Sequence, residues 1–419
     1  MLASLYSRMA LGCVEANRFL ASVERLATFG LRADGGVERQ ALSEQEIEAR
    51  KFLIGRARAL GCKVEIDPCG NLFFTRAGAK LVPPVVMGSH IDTQPMGGRL
   101  DGAYGVLAGF EVLAALDDAS IETSRPVTVV AWTNEEGSRF KPGAMGSGAF
   151  VEPSLLEHYQ HAVGVDGVIF GEALAEARSA IEGALDCAPG FAMHAYLEAH
   201  IEQGPVLEQS GHSLAVVTGI QGVRWYEVRC QGCAAHAGTT PMSMRRDAVV
   251  LANNYLKRIV DLSGELSAQD IRITCGRWNV TPNSINTIAS EALFTLDVRS
   301  PNYAGLDRFE ATLEAERNMV ENQALITIDR ILEKAPTAFD ERLQTLLARA
   351  CQAATGTDPI RIMSGAFHDA LHLAGHCPTA MIFVPSIGGV SHNPAEATQP
   401  DDLVLGVQAL AYAVTSLAI

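Results

Sequence analysis

The sequence is short of positive charge. Lys and Arg number 33 against 48 Asp and Glu, a formal net charge of -15 at neutral pH. Phosphate backbones and anionic bilayers are gripped by clustered Lys and Arg, so this balance argues against nucleic acid and membrane as partners. A local basic pocket for a small anion stays compatible with it. Long apolar runs are missing as well: no stretch of about 18 such residues occurs, and a transmembrane helix is not expected. The N-terminal "MLASLYSRMALGCVEANRFLASVERLATFG" reads as an amphipathic helix interrupted by Arg8, Glu15 and Arg18. It lacks the apolar core and cleavage site of a signal peptide. Nine cysteines form no dense framework, a pattern that fits reduced thiols and a cytoplasmic location. A dinucleotide fingerprint is absent too, because "MGSGAF" lacks the GxGxxG spacing that opens a helix after a first strand.

What is present is an ordinary globular composition, 48% hydrophobic and 19% charged. A chain of 419 residues exceeds one core of usual size, so two domains are expected. A helix over about 46–60 ends on Gly61, and "KVEI" and "NLFFTR" form a hairpin around "DPCG". Buried strands "PPVVMGSHIDT" and "RPVTVVAWTNEE" flank the helical "DGAYGVLAGFEVLAAL", with "GAMGSGAF" as a further loop. This strand, helix, strand order implies an α/β layer, where ligands bind beyond the carboxyl ends of strands. From about residue 212 the texture changes to alternating strands and two long helices, a ferredoxin-like α+β layer. After about residue 330 the first pattern returns with "TAMIFVPS" and "GGVSHNPAE". The expected organisation is a discontinuous domain, 1–211 plus 331–419, with 212–330 inserted.

The chemistry gathers at the strand ends. "GSHIDT" offers His90 and Asp92, "GGRLDGAYG" Asp101, "NEEGSRF" Glu135 and Glu136, "EAHIEQGP" His200, and "GGVSHNPAE" His392. His, Asp and Glu together suit divalent cations such as Zn, Mn, Co or Ni. A cation would also explain two adjacent glutamates after an apolar strand, one ligating while its neighbour handles a proton. Two solvated loop glutamates are the plainer alternative.

The motifs "GSHIDTQPMGGRLDGAYGVLAG", "NEEGSRF", "LEAHIEQGPVLE", "AAHAGTTPM" and "SHNPAE", in this order over about 14–415, resemble the dimetal amidohydrolases of the M20 peptidase superfamily. Within it the chain is similar to the branch of N-carbamoyl-L-amino acid amidohydrolase, β-ureidopropionase and allantoate amidohydrolase. "DTQPMGG" and "NEEGSRF" look most like β-ureidopropionase. The resemblance implies an aminopeptidase-like catalytic domain holding two divalent metals, and an insert acting as lid and dimerisation domain. Asp101 would bridge the metals, with His90 and His200 completing one site and Glu136 and His392 the other. Asp92 would hold the His90 ring, and Glu135 would be the general base. In the insert, His236 would reach into the partner's active site of a homodimer and stabilise an oxyanion. A loop histidine capping the following threonines is the plainer reading. Asn286 and Arg299 would grip a substrate carboxylate, and Gln203 would contact the carbamoyl group. The implied substrate is a small ureido acid: N-carbamoyl-β-alanine, an N-carbamoyl-L-α-amino acid or allantoate. A metallo-exopeptidase would share every ligand. A non-enzymatic binding protein would be expected to lose Glu135 or a ligand, and none is lost. One departure stands out. Phe367 in "SGAFHDA" replaces a residue that is usually small in the family, which puts pocket size in question, while His368 and Asp369 match the family pattern.

Overall fold

The computed structural model describes residues 2–266, 271–320 and 325–419. They form two compact units, Met1–Thr218 with Ala338–Ile419, and Gly219–Thr337. In chain order the strands are β1 (Lys63–Ile66), β2 (Leu72–Arg76), β3 (Val85–His90), β4 (Val127–Trp132), β5 (Leu185–Asp186), β6 (Ala195–Ile201) and β7 (Ala215–Ile220). β8 (Gly222–Gln231), β9 (Ala235–His236), β10 (Arg272–Thr274), β11 (Trp278–Thr281), β12 (Thr287–Ile288), β13 (Glu291–Ser300) and β14 (Ile326–Lys334) follow. Last come β15 (Thr337–Ala338), β16 (Ile360–Ser364) and β17 (Thr379–Val384).

The larger unit is built on a ten-stranded sheet of order β15-β7-β17-β6-β3-β4-β2-β1-β5, with β16 beside β7. Its centre is parallel: β17 pairs with β6, β6 with β3, and β3 with β4. These four strands are buried at every position. Their continuous β-branched and apolar runs fit the middle of a sheet covered on both faces. The helix Ala103–Asp118 is buried over nearly its whole length. Its Glu111, fully buried, is satisfied by Arg18 at 2.7 Å and by the Glu15 main-chain N–H at 2.8 Å. A carboxylate can stay in that layer only when so paired.

The four parallel strands run the same way, so their carboxyl ends share one edge of the sheet. His90 ends β3, His200 lies near the end of β6, and Glu135 and Glu136 follow β4. His392 follows β17. With strands about 4.8 Å apart, neighbouring ends suffice to collect a site.

The smaller unit has an antiparallel sheet of order β10-β13-β8-β14, with β11 also on β13. Two helices, Ala248–Leu266 and Tyr303–Asn318, fall between its strands: the first follows β8, then come β10, β11 and β13, and the second precedes β14. Its core shows both periodicities. Tyr226, Val228 and Cys230 alternate on β8, and Phe294, Leu296 and Val298 on β13. Ala248, Ala252, Tyr255 and Ile259 recur at helical spacing.

The structure departs from the sequence reading in four places. The N-terminal helix is two, Leu2–Gly12 and Ala16–Ala27, because the Glu15 carboxylate caps the second by accepting the N–H groups of Asn17 and Arg18. The loop "GAMGSGAF" contains a helix, Met145–Val151, buried through Phe150, so packing overrides the low helix propensity of glycine. The insert begins and ends about seven residues later than 212–330: β7 pairs with β17 and β16, and β14 continues to Lys334. Finally, the sequence reading of reduced thiols without a framework names no Cys-x-x-Cys pair, yet Cys230 and Cys233 stand at that spacing. Both are free, Cys230 in the core and Cys233 exposed. Among the described residues no helix is long and apolar enough to cross a membrane.

Candidate metal centre and active site

Asp101 is the hub of the strand-end cluster. Its Oδ1 lies 3.1 Å from His200 Nε2 and 3.7 Å from His90 Nε2, while its Oδ2 lies 3.2 Å from His392 Nε2. His392 Nε2 is also 3.5 Å from Glu136 Oε2, and His90 Nε2 is 3.5 Å from Glu135 Oε2. Two donor groups of metal-binding size result, His90–Asp101–His200 and Asp101–Glu136–His392, sharing Asp101. The adjacent glutamates go to different histidines. They do so from a turn rather than from the strand, since β4 stops at Trp132 and Asn134 has φ +56°.

The ring orientations suit ligation. His90 Nδ1 is 2.9 Å from the Asp92 carbonyl oxygen and His200 Nδ1 is 2.9 Å from that of Ile201. Each Nδ1–H donates to a carbonyl and leaves Nε2 facing Asp101, the tautomer a metal ligand needs. The Asp92 side chain, near the His90 ring, also holds the turn that follows β4. Its Oδ1 accepts the N–H of Glu135 and its Oδ2 that of Glu136, both at 3.2 Å, whereas Oδ1 is 3.6 Å from His90 Nδ1. The Asp92 main chain orients the histidine and the carboxylate fixes the turn carrying both glutamates.

Electrostatics of the metal-free chain show what the cluster calls for. Burial, then the neighbouring charges of Asp369 and Glu136, push the Glu135 carboxyl well above the usual carboxylate range. Burial and the charge of Asp101 raise Glu136 to about 8. Burial opposes ionisation of Asp101, yet hydrogen bonds and charge from His200 and His392 hold it well below its ordinary value. His392, hydrogen-bonded to Asp101, rises to about 9, and His200 reaches about 9 against the pull of burial. His90 is driven by burial to about 4 and is neutral. The surplus of carboxylates around Asp101, with histidine Nε2 atoms facing it, is a donor set that fits a divalent cation.

Further residues hold the site, among them Gln94, Glu396 and Glu198, which the sequence reading did not single out, and His368 and Asp369, which it named without a role. Gln94 donates to both Glu136 oxygens, from its main chain at 3.2 Å and its side chain at 2.7 Å. Glu396, the last residue of "SHNPAE", accepts the N–H groups of Leu100 and Asp101 on Oε1 and the Ser391 hydroxyl on Oε2. Glu198 lies two residues before His200 and so on the same face of β6. It accepts from Ser89, Tyr196 and the Ala370 N–H. His368 is buried, bonded to Ser364, with its ring edge-on to His200 at 4.5 Å. Asp369 is fully buried, and burial and the charge of Glu198 push its carboxyl well above the usual range, against a hydrogen bond from Ser147. Phe367 beside them is half-buried.

Gln203 reaches the cluster: its Nε2 donates to Asp101 Oδ2 at 2.9 Å and to Ser391 at 3.2 Å, and its buried Oε1 lacks a partner among the described residues. Within the smaller unit, β9 and β12 pair His236 with Thr287, bringing His236 next to Asn286. His236 Nδ1 accepts the N–H groups of Gly238 and Thr239. The histidine does cap its turn, and doing so leaves its Nε2 as a donor. The Ser284 hydroxyl donates to Asn286 Oδ1 at 2.9 Å, which leaves the amide N–H groups to face an acceptor. Arg299 lies on β13, paired to Asp297 at 3.0 Å.

Residues 86–416 match the model of peptidase family M20/M25/M40. The chain belongs to this family. It is 35% identical to the N-carbamoyl-L-amino-acid amidohydrolase of Rhizobium meliloti over 408 residues, 97% of each chain. It is 34% identical to the allantoate amidohydrolase of Bacillus subtilis, covering 94% of this chain and 96% of that one. Among solved structures, an amidase of the hydantoinase/carbamoylase family from Burkholderia multivorans superposes with a TM-score of 0.87 at 40% identity, covering 97% and 98% of the two chains.

Proposed function

We propose that the chain hydrolyses the ureido C–N bond of an N-carbamoyl amino acid, yielding the free amino acid, ammonia and carbon dioxide. It is a hydrolase of amide C–N bonds in the M20 family, and relatives named for N-carbamoyl-L-amino acids and for allantoate bracket the substrate class. The observation that carries the reading is the pair of donor groups sharing Asp101, with Glu135 beside one of them.

His90, Asp101 and His200 would hold one cation, and Asp101, Glu136 and His392 the second, from among Zn, Mn, Co and Ni. When bound, they supply Lewis acidity that lowers the pKa of water and polarises the ureido carbonyl. The rest is the protein's work. Glu135 takes a proton from the attacking water and returns it to the leaving nitrogen as the C–N bond breaks. Asp92 and Gln94 keep the two glutamates in their separate tasks. The unpartnered Gln203 Oε1 is suited to accept a ureido N–H. Arg299 and Asn286 would bind the carboxylate, the guanidinium fork in a bidentate manner. His236, with Nε2 as its donor, would donate to the oxyanion in the partner's site of a homodimer.

The test is ammonia release by the purified protein reconstituted with Mn or Zn, on N-carbamoyl-β-alanine, N-carbamoyl-L-methionine, allantoate and dipeptides in parallel. Chelator-sensitive release from a ureido acid supports the proposal and ranks the substrates. Amino acid release from dipeptides alone would move the enzyme to the exopeptidases. Glu135→Gln should lower kcat by about 10²–10⁴-fold while metal content stays at the parent level; substantial turnover would remove Glu135 as the base.

A further inference from the structure

Arg39 is completely buried, yet among the described residues no carboxylate lies within ion-pair distance of it. The charges of Glu46 and Asp92 favour it only from beyond ion-pair distance, and a buried guanidinium so placed is costly, so what its donors hold is informative. Nε donates to the Ile91 carbonyl at 2.8 Å. Nη1 donates to the carbonyls of Leu26 and Phe29, at 3.0 and 2.9 Å, at the carboxyl end of the helix Ala16–Ala27. That end carries partial negative charge, a suitable seat for a cation. The main chain of Arg39 grips the same loop: its N–H donates to Thr93 Oγ1 at 2.9 Å, and its carbonyl accepts the Thr93 N–H at 3.0 Å. Arg50, also buried, is by contrast neutralised by Glu46 at 2.7 Å.

The clamped segment carries both metal positions. Ile91 lies between His90 and Asp92, and Thr93 lies between Asp92 and Gln94. His90 belongs to one donor group, and Gln94 fixes Glu136 in the other. We propose that Arg39 is a positioning residue for both cation sites, its guanidinium anchoring the loop 91–94 to the end of the Ala16–Ala27 helix. This rests on the two-cation reading above. Side-chain bulk alone would not need three carbonyls from two segments, 26–29 and 91, aimed at one guanidinium.

Charge and geometry are separable. Arg39→Lys keeps the charge and loses the fork; Arg39→Met loses both. Competition against a chelator, with Mn and with Zn, reads the affinity of each site without relying on turnover. Both variants should bind each ion about 10–100-fold more weakly, the range for losing outer support of a ligand. Val407→Ala, a buried change away from the cluster, should lower Tm and leave affinity alone. Arg39→Lys at parent affinity would show that only charge matters, and tighter binding by Arg39→Met would make Arg39 merely repulsive; either overturns the proposal. Should both Arg39 variants fail to fold, Thr93→Val removes the opposite side of the clamp and must weaken binding. Parent-like affinity there overturns the proposal as well. A parent protein that binds no divalent ion would sink the two-cation reading itself, a different failure from a parent that binds two while the variants match it.

Discussion

Gly102 sits where no side chain fits. Its φ is +64°, and a Cβ there would stand 2.4 Å from Cε1 and Nε2 of His90. The residue follows Asp101 directly, so the hub carboxylate and the first histidine approach through the space of one missing methyl group. Gly102→Ala should push the His90 ring aside and weaken cation binding by about 10–100-fold, with a fall in Tm from strain at a left-handed position. Chelator competition and calorimetry check both effects, and an unchanged affinity would mean the ring has a second usable position. Within "LDGAYG" the glycine is visible in the sequence. The ring it makes room for lies elsewhere in the chain, and only the fold brings the two together.

The strand ends explain why so much of the site was readable. Apolar, β-branched runs that stop abruptly at His, Asp or Glu mark buried strands opening onto a polar edge, and the order β17-β6-β3-β4 makes those edges adjacent. His90, Asp101, Glu136, His200 and His392 follow from that rule together with the family motifs. What pairs with what across loops was not legible. Asp92 was expected to orient His90, and beyond lying 3.6 Å from that ring its carboxylate accepts the N–H groups of Glu135 and Glu136 in the turn at Asn134. The supports Gln94, Glu396 and Arg39 act through main-chain atoms of other segments, which leave no periodic trace. The consequence can be measured. Asp92→Asn keeps one acceptor and turns an NH₂ group toward a main-chain donor, so the turn should shift. We expect kcat to fall by about 10–100-fold with weaker cation binding. Retention of both would show that the turn holds itself.

At the scale of the molecule, a chain of net charge -15 gathers several of its carboxylates at one buried edge, and that arrangement sets how stability answers to pH. Stability falls with rising pH wherever the folded chain holds more protons than the unfolded one. In the metal-free protein Glu136 titrates at about 8 and His200 and His392 at about 9, against ordinary values of 4.5 and 6.5. Between pH 6.5 and about 9 the folded chain keeps protons that the unfolded chain has released. Stability is therefore lost across this window. His90, at about 4, works the other way only below its ordinary 6.5, where the unfolded chain binds the extra proton. Cation binding requires the same groups to be deprotonated, so affinity rises as these protons leave. A cation that binds only the folded chain stabilises more as its affinity grows. The Tm of the chelated protein should fall from pH 6.5 to 9 while that of the Mn- or Zn-loaded protein holds or rises. A gap between the two curves that stayed constant across the window would show that the carboxylate and histidine cluster is not where the cations bind.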